Sequence, residues 1–574
     1  MLRWSSPLGR RQGDLPNVSV SGPTTWDTSW ANGAYEHMRI RILLSLAMAF
    51  GAAVLTGCGS SQSQPDNPPV SPPGATFSDS TLNGGYVLAF SGTDISGGYE
   101  SFFAVAGTLT TNGAGAITSG TLDLIDPALG ATFGTGYTFT RLPVSGSYSV
   151  TPDGRGSGTI SMTVNGNPVT MGIDFALASA SHGLISRFDS GGSGSGTLDA
   201  TSGVSQSSLA GSYAFGLDGV DATAQNYLSA AGAVTLDASG NISSGVQDFS
   251  DNGNATNLQA LSLQGDITAG APGTAQLTTG ASAFGTLHFD VWPIDPTHFK
   301  LIETDSTAFL AGDAYVSTGH TAFPSGQLVF TFSGEDTEQG PFASGGVFTS
   351  DGVSQITAGL EDVNDEGDVA ESPSVGGSFT SNGPRTSLTL NGIYNGYLEG
   401  NTPFTGNYTF AAYPFNGGVV LLETDNGGGT SLGISGGDAF VQSATSLNSA
   451  AGYALALSGA NSDGEADMIA EFTTSGSAVS GIYDANNLGL LVFDASLGSN
   501  GVYSAAASGT GTVQFPQLQT TSNSYLGTLD FTYYVVDGST AILLETDSAQ
   551  TATGVLLQQG GSPSPGVTLF HTLR

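Results

Sequence analysis

Three stretches carry paired carboxylates at a spacing that could hold a cation: Ile302-Glu303-Thr304-Asp305, Leu422-Glu423-Thr424-Asp425 and Leu544-Glu545-Thr546-Asp547. On a β-strand, side chains two apart share a face. Glu303 with Asp305, Glu423 with Asp425 and Glu545 with Asp547 would each set two carboxylates roughly 6–7 Å apart. Like charges at that distance need a compensator, and Lys300 is the single lysine of the chain. Calcium, which takes hard oxygen ligands, is the metal such pairs would hold. The plainer reading is a strand end, where Asp caps a turn and Glu is solvated. A second stretch, Asp362-Val363-Asn364-Asp365-Glu366-Gly367-Asp368, alternates oxygen side chains and places glycine sixth, as an EF-hand loop does. Its twelfth position is Pro373, where a bidentate Glu is needed, and no helices flank it. It reads as a solvated acidic hairpin loop.

Nucleophilic chemistry has less support. His182, His288, His298 and His320 do not recur at one repeat position in the alignment, and Gly192-Ser193-Gly194-Ser195-Gly196 reads as Gly/Ser linker in an all-β context, not as a nucleophile elbow. No carboxylate pair is singled out for glycoside hydrolysis. No glycine-rich loop precedes a helix, which removes the usual phosphate cradle. The expectation is a protein without catalytic residues, with an extracellular hydrolase as the minor alternative.

Eleven Lys+Arg stand against 48 Asp+Glu, a formal net charge of -37. No basic stripe exists to neutralise phosphates, so nucleic acid is excluded as a partner and anionic headgroups are not attracted. Divalent cations or cationic surfaces would be. The one cysteine, Cys58, rules out an internal disulfide.

The elements that position these residues repeat four times, with a period of roughly 115–127 residues. Tyr86-Val87-Leu88-Ala89-Phe90-Ser91-Gly92 aligns with Tyr213 to Gly219, Leu328 to Gly334 and Tyr453 to Gly459. The first, third and fifth positions are bulky and the second and fourth small or modest, the period of a strand with one core face. Asn112-Gly113 and Asp351-Gly352 mark tight hairpin turns. The first unit shows strands near 85–91, 102–110, 116–125, 132–140, 145–150, 157–164, 169–177 and 183–188, with a closing strand at 195–199. Its end reads Leu184-Ile185-Ser186-Arg187-Phe188-Asp189 where the others have Glu-Thr-Asp, which leaves that equivalence open.

The expected fold is all-β: four tandem antiparallel units at 81–203, 204–322, 323–445 and 446–560, followed by a tail at 561–574. Joined by tight turns, the strands hide their edges best in eight-stranded up-and-down barrels. A Greek-key or immunoglobulin-like sandwich would give nearly the same pattern. A barrel of this length resembles the calycin type, which implies an interior filled by side chains or wide enough for one small ligand.

Upstream, Met38-Arg39-Ile40-Arg41 supplies a positive start and Ile42 to Leu55 a short apolar run. The run ends in Leu55-Thr56-Gly57-Cys58, which resembles the lipobox of bacterial lipoproteins. The resemblance implies a signal peptide at 38–57, diacylglycerol on Cys58 and a membrane partner through that lipid. Gly59, where inner-membrane lipoproteins tend to carry Asp, implies the outer membrane or cell surface. Residues 58–80 form a Pro- and Ser-rich tether. Residues 1–37 hold three of the 4 tryptophans and read as an over-long gene-model extension. The functional expectation is a cell-envelope lipoprotein that presents tandem β units for binding or adhesion to a protein partner, or as an array of small-ligand barrels.

Overall fold

The fold is taken from a computed structural model. It describes residues 75–561 apart from 99, 223–225, 252–257, 281–283, 337–339, 399–401, 425–432, 449–450, 498–500, 506–507 and 522–523. The signal, Cys58, the start of the tether and Asp425 lie outside the described residues.

The opening strand of each unit shows why the sheets close. In Asn83–Asp94, Tyr86, Leu88 and Phe90 point into one apolar core. One edge of this strand pairs antiparallel with Ser101–Asn112 and the other with Gly192–Ala200, so no edge is left open. Gly211–Asp221, Ser325–Glu335 and Gly452–Asn461 are held in the same way between the second and last strands of their own units. The result is four tandem antiparallel barrels of eight strands in sequential order. The third and fourth each add a short strand, Asp368–Ser374 and Leu490–Ser496, which folds back on the third barrel strand outside the ring of eight.

Three local expectations change. In the first barrel, the strand expected near 132–140 begins only at Thr138, its start taken by helix Pro127–Phe133. Asp126 caps it by accepting from Leu129 N at 2.7 Å, Pro127 starts it, and Gly134 ends it at φ +64. The strands expected near 132–140 and 145–150 are one, Thr138–Val150. The Gly/Ser run is the closing strand, and its glycines are structural: a Cβ on Gly196 would lie 2.0 Å from the Ala89 carbonyl oxygen.

The opening strand also buries both faces. Val87 and Ala89, on its outer side, are 0% and 2% exposed, packed with Phe102, Trp292, Ile302 and Phe309 between the first and second barrels. A further apolar cluster draws residues from all four barrels, among them Leu184, Ala214, Val420 and Leu544. The small outward residues let neighbouring barrels approach closely. Each fully buried Val or Leu there contributes about 1.5–3 kcal/mol on leaving water.

One register position makes the seams. Asp123, Asp248, Asp362 and Asp484 occupy the same place on the third strand of their barrels. Asp123 accepts from Trp292 Nε1 of the second barrel at 2.9 Å. Asp248 accepts from Tyr413 and Arg385 of the third, and Asp362 from Tyr534 of the fourth. The position of Trp292, Tyr413 and Tyr534 is Ala176 in the first barrel, which has no donor. There Arg155 reaches instead, its Nη1 2.5 Å from Asp484, so the fourth barrel closes on the first. Among the described residues no helix is long and apolar enough to cross a membrane.

Candidate functional site

In the two Glu-Thr-Asp stretches described in full, the Asp residue, Asp305 or Asp547, lies beyond the strand that carries the Glu. Glu303, Glu423 and Glu545 are the last residues of their strands, in phase with the inward Leu301, Leu421 and Leu543, and are 0% exposed. Each plugs one end of its barrel. Burial, reinforced by Asp305, pushes the Glu303 carboxyl well above its ordinary range, and Glu545 is raised in the same way beside Asp547. Asp305 lies beyond the strand. Burial alone would raise it, yet bonds from Glu303, His288 and Thr307 hold it lower. Asp547 accepts from Asp530 N and from Ala549 N, the latter at 2.8 Å. Asp305 and Asp547 therefore cap turns, as the plainer reading has it, whereas the three Glu residues are buried and not solvated. Burial favours the neutral form of Glu303, whose side chain is hydrogen-bonded to Asp305. Among the described residues no three His, Cys, Asp or Glu side chains are arranged to hold a metal ion.

The acidic stretch at 362–368 forms a hairpin with Glu366 and Asp368 exposed at its tip, but its first strand is not solvated. Asp362 and Asn364 are 3% and 0% exposed in the seam with the fourth barrel, and Gly367 at φ +89 makes the turn. The part of this loop that reads as solvated is here a hydrogen-bonded interface.

The histidines also fall differently. His182 and His298 share a repeat position, opposite Asp199 and Tyr315. His182 Nδ1 lies 2.6 Å from Asp199, and His298 Nε2 lies 2.5 Å from Asp313, which also takes Lys300 Nζ at 2.8 Å. Burial would raise Asp199, but the charges of His182, Lys300 and His298 hold it below the usual carboxylate range. The single lysine thus neutralises buried acids beside the central cluster. His288 caps the turn at Asp305, and His320 is exposed.

The first barrel departs from the other three. Register places Arg187 where they carry the buried Glu: Arg187 pairs with Ile173 as Glu303 pairs with Phe289. The open equivalence of Ser186-Arg187-Phe188-Asp189 is thereby resolved. Arg187 points inward over the Phe103 ring, 4.8 Å from its centroid, and donates to Asp94 at 2.6 Å and to Asp189 at 3.2 Å. A cleft of about 260 Å³ opens beside it, lined by Asp94, Asp126, Arg187 and Asp189 and walled by Leu124, Leu129, Val169 and Met171. Asp126 is 2% exposed, and burial together with the charge of Asp94 raises its carboxyl to about 7. By comparison, a cavity in the fourth barrel, lined by Tyr483, Asn487 and Gln550, holds about 30 Å³, room for one water. Sequence reading missed Asp94 and Asp126; the broken Glu-Thr-Asp motif and the Asp126-Pro127 cap were the signals available.

Fold and cleft together define an all-β protein of four fused up-and-down barrels, one with a polar mouth. No known protein family matches the chain, and no curated protein does.

Proposed function

We propose that the chain is a lipid-anchored protein of the cell envelope, at the outer membrane or cell surface, that binds a partner or ligand and does not catalyse. The observation that carries the binding reading is that apolar side chains fill the barrel interiors. Recognition is then left to outer surfaces and barrel mouths. The address rests on Leu55-Thr56-Gly57-Cys58 and the tether that follows.

Fatty-acid labelling of cells that express the wild type or Cys58→Ser tests the anchor. Incorporation is expected in the wild type alone, and equal labelling of both overturns it. A panel of chromogenic esters and glycosides tests the absence of catalysis. Turnover that disappears in Asp126→Asn replaces the binding reading with a hydrolase centred on the first barrel.

A further inference from the structure

We propose that the mouth of the first barrel is a binding site for a small organic ammonium ion with a short apolar part. This deepens the binding reading and rests on it, but not on the lipid anchor. The cleft has about 260 Å³ of space, enough for a small molecule and near the lower end of ordinary ligand sites. Its charge is unbalanced. Asp94, Asp126 and Asp189 face one guanidinium, and Arg187 is already committed to two of them. An anion would meet excess negative charge locally and a net charge of -37 over the whole chain, whereas that field draws cations in. Leu124, Leu129, Val169 and Met171 offer an alkyl chain apolar surface within the same cleft.

The other three barrels show what makes the cleft particular. At the register position of Arg187 they place a carboxyl that is fully buried inside the barrel. Arg187 is longer and lies across Phe103, tied to strand ends on both sides by Asp94 and Asp189.

Asp126 gives the site a signature. Its carboxyl, raised to about 7, faces Asp94 and Arg187, with Asp189 on the far side of the guanidinium. It must ionise to pair with an ammonium. A ligand that needs the ionised form gains affinity as pH rises through 7, by about thirtyfold between pH 5.5 and 8.5.

The test is calorimetric titration of the full chain with n-butylammonium, with n-butanol and butyrate as neutral and anionic controls, at pH 5.5 and 8.5. The expected result is saturable one-to-one binding of the amine alone, tighter at the higher pH. Asp126→Asn, which keeps the helix cap, should weaken binding at pH 8.5 and abolish its pH dependence. Thr170→Trp, at an exposed position on the rim, should block binding without altering any carboxylate. No binding of the amine at either pH overturns the proposal, as does equal binding of n-butanol or amine binding unaffected by Thr170→Trp. A chain that binds the amine but takes up no fatty acid keeps the cleft and loses the address. A lipidated chain that ignores the amine does the reverse.

Discussion

Asn364 in the third barrel and Asn486 in the fourth hold the same post at successive seams. Asn364 Nδ2 lies 2.9–3.1 Å from the carbonyl oxygens of Glu545, Asp547 and Gln550 in the next barrel. Asn486 Nδ2 lies 2.6–3.4 Å from those of Arg187, Asp189 and Gly192 in the first. Each uses its Oδ1 to accept from a turn glycine of its own hairpin, Gly367 or Gly489. The acceptors are main-chain atoms, so the clasp survives the change from Glu545 to Arg187 at the position it grips.

Removal of such a clasp leaves buried carbonyls without a donor. Asn486→Leu is expected to destabilise the chain by roughly 2–4 kcal/mol, because each unsatisfied buried group costs about 1–3 kcal/mol. Urea unfolding followed by tryptophan and tyrosine fluorescence checks this. A loss below about 0.5 kcal/mol, the range of ordinary surface substitutions, would mean that the seam is not a structural joint.

The closure of the fourth barrel on the first depends on pH. Arg155, 3% exposed, binds Asp153, Asp484 and Asp494. Burial raises Asp174 and Asp484 around it, and Glu471 to about 8. A raised carboxyl favours the neutral form in the folded state. Its contribution is complete below the unfolded value near 4 and is lost as pH climbs through the folded one. The melting temperature should therefore fall between pH 5 and 9, and Glu471→Gln should flatten the upper part of that decline. Arg155→Met should cost about 3–5 kcal/mol at pH 8 and clearly less at pH 5, because burial favours the neutral forms of Asp174 and Asp484. A melting temperature that rises with pH over this range contradicts the assignment.

Closure of the first barrel needs glycine at 196. Gly196→Val would drive side-chain atoms into the Ala89 main chain, where even a Cβ finds 2.0 Å. Overpacking of this kind typically costs 1–3 kcal/mol and more against backbone, so the variant should unfold well below the wild-type urea midpoint. Gly136→Ala, at an exposed loop position with open space around its Cβ and no positive φ, is the control for glycine loss as such.

Calcium offers a direct check on the Glu303–Asp305 pair. Millimolar calcium or a chelator should leave the melting temperature unchanged, because burial favours the neutral form of Glu303 and its side chain is hydrogen-bonded to Asp305. A rise with calcium, abolished in Glu303→Gln, would restore the metal to these residues.

Alternation in Tyr86 to Phe90 and its three counterparts determined the strands, the repeat and the inward face, because a strand's period of two is a local property. Glycine-containing turns were legible for the same reason, and Asp126-Pro127 carried a helix cap that strand alternation masked. What Val87, Asp362 or Asn364 touch was not legible. Their partners lie on other barrels, more than 150 residues away for Tyr534 and Gln550, and nothing in a local pattern states which outward face will meet which. The fate of Glu303 was hidden likewise. A strand end looks solvated in sequence, and only closure of the sheet around it makes the carboxyl a buried plug. The cleft exists because tertiary packing set Asp94, Asp126 and Arg187 at one rim from three separate parts of the first unit, and Coulomb's law then gave that rim its preference for a cation.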